Sequence, residues 1–172
     1  MTLFTIISHT PIWVWGLFVF LLIRGCAALS EREISIRRLF ILPLIFLAWG
    51  IWSMNQEFNS SLSSLMGMIA GLAVGIPGGW IAGKNQPRLK RKPGSKMIIR
   101  AGTPLTLILI IIAFSTKYGL MAWLFLHPEM HYSARFGFLF GLITGVVDGL
   151  FWGVTLNLFL SWRKTSPDMQ QS

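Results

Sequence analysis

Apolar runs long enough to cross a hydrocarbon layer dominate this chain of 172 residues and constrain its fold more than any other feature. Five can be drawn, at about 11–29, 39–54, 62–83, 104–126 and 136–162. A helix rises about 1.5 Å per residue, so about 20 residues span a hydrocarbon core of about 30 Å, and each run is near that length. Backbone polar groups find no partner in lipid, which leaves helices or closed barrels, and the runs lack the alternation a barrel strand needs. The expectation is one all-α domain, an integral membrane bundle of five transmembrane helices. Composition agrees: 53% of residues are hydrophobic and 12% charged, against about 25% charged in a soluble domain. Both a multidomain soluble enzyme and a disordered chain run against these values. The single cysteine, Cys26, rules out an internal disulfide.

Helix starts are written locally. Thr10-Pro11 and Thr103-Pro104 each place a hydroxyl at the N-cap and a proline at the first helical position, where its missing N–H costs nothing. Ser30 and Glu33 have the spacing of a capping box, which starts the second helix before the membrane and carries it past Arg37 and Arg38 to enter lipid near Leu39. Pro43 then kinks that helix, and Pro77 with Gly78 kinks or partly unwinds the third near its end.

Orientation follows from the basic residues. Arg24, Arg32, Arg37 and Arg38, then the seven of the 84–100 connection, then Arg163 and Lys164 place 13 of the 15 on one side. The opposite side has only Arg135, and Lys117 lies within a span. The positive-inside rule therefore puts the N-terminus outside and the C-terminus in the cytoplasm. The same confinement argues that the net charge of +9 faces a bilayer surface with anionic lipid head groups at the 84–100 loop, not nucleic acid. No basic residue precedes Arg24, so the first run does not read as a cleaved secretory signal.

The clearest repeat is glycine at every fourth position. In the third span it reads Gly67, Gly71, Gly75, Gly79 and Gly83, preceded by Ser63. In the fifth it reads Gly137, Gly141, Gly145, Gly149 and Gly153, continued by Asn157 and Ser161. Such a glycine zipper makes a groove that lets another helix backbone approach closely. The two grooves either pack the third span on the fifth or serve self-association, as a homodimer or with a membrane-protein partner.

Two ionisable residues, Lys117 and Asp148, fall within spans. A lone charge at mid-bilayer costs at least about 2.5 kcal/mol, so such residues face the interior and find a partner. Counted from the connection between the fourth and fifth spans, their depths differ by about 6 Å. Side chains lean toward their own helix N-terminus, which closes that gap. The pair is read as an ion bridge fixing how two helices meet, with a proton or ion relay as the alternative; Tyr118 and Asn157 either extend a polar track beside it or satisfy a neighbouring helix.

His9, His127 and His131 map to the outer face with Glu57 and Glu129, and imidazole with carboxylate suits zinc or copper. Their spacing matches no metal signature, so they stand as weak candidates, and no metal or other cofactor is expected. No G-x-S-x-G, Walker, Rossmann or zincin motif is present, so no enzymatic activity is expected.

His9-Thr-Pro-Ile-Trp-Val-Trp15, the stretch from Arg32 to Pro43, Pro93-Gly94-Ser95 and Phe114-Ser-Thr-Lys117-Tyr118 resemble a family of small uncharacterised bacterial inner-membrane proteins grouped as DUF6622. The basic loop is richer in lysine than the family pattern. The resemblance implies a helical bundle in the bacterial inner (plasma) membrane and supplies no activity. The leading expectation is thus a non-enzymatic multi-pass protein acting as a structural, accessory or assembly subunit. The alternative is a small proton- or ion-coupled transporter using Asp148 and Lys117.

Overall fold

The computed structural model describes residues 12–58, 61–86, 90–91, 97–100 and 102–164. Helix α1 (Ile12–Ala27) is followed by strand β1 (Arg32–Ser35), a 3₁₀ turn (Ile36–Phe40) and α2 (Ile41–Phe58). Then come α3 (Leu62–Lys84), the short strands β2 (Lys90–Arg91) and β3 (Met97–Arg100), α4 (Pro104–Leu126), a second 3₁₀ turn (Pro128–Tyr132) and α5 (Ala134–Lys164). Four stretches, Arg37–Phe58, Leu62–Lys84, Pro104–Leu126 and Ala134–Arg163, are long and apolar enough to cross a membrane. The apolar helix α1 is shorter among the described residues, at 16 residues. The apolar bundle is consistent with a membrane protein.

Several local expectations are corrected. The capping box does not form: the Ser30 hydroxyl donates to the carbonyl of Ala27 at 3.4 Å, and Glu33 lies in β1. Strand pairing between residues 32–35 and 97–100 competes for this backbone and wins. Pro43 sits in the first turn of α2, directly after the 3₁₀ turn, where a missing N–H costs least. Helix α3 stays helical through Pro77, so no unwound segment forms there. Thr103 holds the extended N-cap backbone before Pro104, yet its side chain makes no cap hydrogen bond. Its N–H donates instead to the carbonyl of Ala28 at 2.8 Å. Thr10 and Pro11 lie outside the described residues.

Hydroxyls start two other helices. Ser64 N–H donates to Ser61 Oγ at 3.4 Å ahead of α3, and Phe136 N–H donates to Ser133 Oγ at 3.3 Å, which begins α5 at Ala134, two residues earlier than the apolar pattern suggests.

An antiparallel three-stranded sheet in the order β1-β3-β2 interrupts the helices, and the apolar pattern does not announce it. β1 pairs Arg32 with Arg100 through Ser35 with Met97, and β3 also pairs with β2. The sheet joins the first and third connections, where most of the basic residues lie, at one end of the bundle. At the other end, Glu57 near the close of α2 meets His131 between α4 and α5. Two apolar clusters fill the interior: one around Leu21, Phe46, Ile110, Ala113 and Phe151, the other around Met54, Phe58, Met68, Leu124 and Phe140. Phe46 stacks on Phe151 with ring centroids 4.9 Å apart, joining α2 to α5.

Candidate functional site

The glycine registers of α3 and α5 face each other. A Cβ on Gly67, Gly71, Gly75 or Gly79 would overlap the carbonyl of Phe138, Leu142, Val146 or Leu150, respectively. From the opposite side, a Cβ on Gly141, Gly145 or Gly153 would overlap the carbonyl of Ser64, Met68 or Ile76, and one on Gly149 would lie 2.8 Å from Gly75 Cα. The ends are looser: Gly83 faces the Asn157 side chain at 3.0 Å, and Gly137 faces Ser63 Oγ at 3.3 Å. Backbones this close are possible only because four-residue spacing keeps every glycine on one helix face. Each groove is thus occupied by the other within a single chain.

Lys117 and Asp148 meet in the interior. The ammonium lies 3.1 Å from Asp148 Oδ1 and donates a hydrogen bond to Oδ2 at 3.2 Å, with relative exposures of 4% and 0% for the two side chains. It donates another to the main-chain carbonyl of Phe46 at 3.1 Å, which brings α2 into the site as a third wall. Oδ1 is close enough for charge attraction but receives no hydrogen bond among the described residues. The Trp49 ring centroid is 5.9 Å from the ammonium, adding a cation–π contact. Trp49 also lines an apolar groove of about 310 Å³ with Leu17, Ala48 and Trp52, so the indole stands between that groove and the charge.

Gly50 makes the three-helix junction possible. A Cβ there would lie 2.8 Å from Asp148 Oδ2, 3.0 Å from Lys117 Nζ and 3.0 Å from Thr144 Cγ2. Gly50 follows Phe46 by one turn, so the absent side chain uncovers the carbonyl that the ammonium reaches. Replacing Gly50 by Ala should cost about 1–3 kcal/mol of stability by forcing the pair off this carbonyl, read as a lowered unfolding temperature in detergent. Thr144, one turn before Asp148 on α5, is buried, and its hydroxyl has no hydrogen-bond partner among the described residues. Neither Gly50, the Phe46 carbonyl nor Thr144 is picked out by reading charged residues alone. Gly50 is visible in hindsight as a glycine in an apolar span that belongs to no repeat. Asn157, read as part of a polar track, is buried against α3 at Gly83.

The histidines form separate pairs. His127 Nδ1 lies 3.2 Å from Glu129 Oε1, while His131 Nδ1 lies 3.1 Å from the carbonyl of Glu57 and 3.4 Å from its Oε2. The Glu57 carbonyl is among the last of α2, where intrahelical donors have run out, so His131 supplies one. No group of three or more metal-ligating side chains occurs among the described residues. His9 lies outside them.

A family model described as a family of unknown function, DUF6622, matches residues 1–168. An uncharacterized protein of Pasteurella multocida (strain Pm70) is 39% identical over 71 residues, which is 41% of this chain. The match spans 55% of that relative's length. No solved structure matches the chain.

Proposed function

This chain belongs to the family of unknown function DUF6622, and from that premise we propose that it is a non-enzymatic, multi-pass protein of the bacterial inner membrane that serves as a structural or accessory subunit. In this reading the bundle crosses the bilayer five times, with the N-terminus outside and the C-terminus in the cytoplasm. The carrying observation is the state of the buried ammonium: Lys117 Nζ has three oxygens at 3.1–3.2 Å and an indole beside it. A charge so fully engaged, on a junction of three helices, acts as a fastener that fixes their register. The glycine contact between α3 and α5 does the same for the other half of the bundle.

The topology is tested with reporter fusions. A phosphatase active only outside the cytoplasm should be active when fused before Ile12 and silent after Lys164. A reporter fluorescent only in the cytoplasm should give the reverse pattern. The protein should also remain with membranes after alkaline carbonate. Identical readouts at both termini would reject an odd number of crossings.

One observation favours a second reading, an ion-coupled permease. Asp148 Oδ1 and Thr144 Oγ1, a turn apart and both buried, lack hydrogen bonds among the described residues, which suits a carboxylate that exchanges a proton. On that reading Asp148→Asn folds normally and loses proton-linked flux in proteoliposomes. On the structural reading, wild-type proteoliposomes dissipate an imposed pH gradient no faster than lipid alone.

A further inference from the structure

The first 3₁₀ turn and the end of α5, which meet through Phe40 and Phe159, both carry arginines, more than 120 residues apart in sequence. Arg37 and Arg38 are exposed on the 3₁₀ turn, and Arg163 is exposed in the last turn of α5. Phe40, two residues past Arg38, meets Phe159 edge-on with centroids 5.5 Å apart. The Arg163 guanidinium lies over that same Phe159 ring, 5.9 Å from its centroid. Phe159 is thus a shared platform between the entry to α2 and the exit of α5. A cation–π contact engages the charge without using up N–H donors, which arginine can offer bidentately to an oxyanion where lysine offers a point charge. Phe40 also lies 6.1 Å from Trp152, and Leu44, four residues further along α2, is 52% exposed. Apolar surface therefore continues along the helices from the charged end.

We propose that Arg37, Arg38 and Arg163 form one site for the phosphate of an anionic phospholipid, whose acyl chains lie along the α2 and α5 flank below Phe40 and Phe159. The occupant is a lipid and not free phosphate because the cationic end and the apolar flank are continuous, which matches an amphiphile. The β1–β3 pairing brings part of the 84–100 connection to the entry of this turn. What distinguishes the site from diffuse attraction by that loop is a guanidinium set against the Phe159 ring at the head of an apolar flank. This inference rests on the membrane reading given above.

The test uses the full chain in a neutral detergent, titrated with phosphatidylglycerol or phosphatidylcholine and followed by native mass spectrometry. About one phosphatidylglycerol per chain should be retained preferentially, and millimolar inorganic phosphate should not displace it. A basic residue near an anionic surface contributes roughly fivefold in affinity, so the triple substitution R37Q/R38Q/R163Q should weaken retention by about 100-fold. R37K/R38K/R163K keeps the charges and should weaken it less. K90Q/K92Q in the loop should leave it unchanged. If the triple variant does not fold, R163Q alone carries the test with an expected loss of about fivefold. Equal retention of phosphatidylcholine, an unchanged triple or R163Q variant, the same loss from the loop variant, or full displacement by phosphate would each overturn the site. Those outcomes leave a carbonate-resistant protein in place, whereas carbonate extraction would remove the membrane reading itself.

Discussion

Replacing Asp148 by Asn is expected to destabilise the protein by about 3–5 kcal/mol, the cost of leaving a buried cation without its counter-charge. The side chain has no solvent to turn to, with Asp148 fully buried and Lys117 at 4% exposure. What remains for the ammonium is the substituted amide oxygen, the Phe46 carbonyl and the Trp49 ring, dipoles and a quadrupole where a full charge stood. Lys117→Met should cost a similar amount, because it strands the carboxylate in the same apolar junction. Both losses should appear as lower unfolding temperatures in detergent and lower yields from the membrane. A smaller penalty, under about 1 kcal/mol, would mean that the pair contributes no more than an exposed surface salt bridge.

Replacing Gly71 or Gly145 by Leu should separate α3 from α5 and abolish the native bundle. Even Gly71→Ala places a methyl group on the Leu142 carbonyl and 2.7 Å from Val146 N, and backbone cannot rotate away as a side chain would. Overpacking a flexible core costs about 1–3 kcal/mol, and backbone overlap along a zipper belongs at or above the top of that range. Gly16→Ala and Gly119→Ala are the controls. A Cβ at either position meets nothing within 4 Å, so these changes should be neutral or stabilise by up to about 1 kcal/mol through helix propensity. Equal tolerance of alanine at Gly71 and Gly119, measured by thermal unfolding, would contradict the packing described.

The parts of this architecture legible in the sequence are those written in a short period or at a rare position. Glycine every fourth residue identifies a helix face directly, and two such faces leave few ways to pack. Lys117 and Asp148 are conspicuous because charge is scarce in the spans, and their depths follow from counting residues. The sheet was not legible because β1 and β3 are four residues each and pair across more than 60 positions, which leaves no local period. Ser30 and Glu33 show the same competition in detail, since a local capping pattern yields to long-range strand pairing. The third wall of the site was hidden for a different reason. Its contribution is a main-chain carbonyl uncovered by Gly50, and neither a carbonyl nor a missing side chain registers in a search for charged groups.

The most direct measurement is the unfolding free energy of the double variant Lys117→Met/Asp148→Leu, set beside the two single changes in the same detergent. A structural fastener replaced by apolar side chains of similar volume should recover most of the loss, to within about 1 kcal/mol of the unaltered protein. A double variant as unstable as Asp148→Asn alone, or an Asp148→Asn protein as stable as the unaltered one, would contradict the role assigned to the pair.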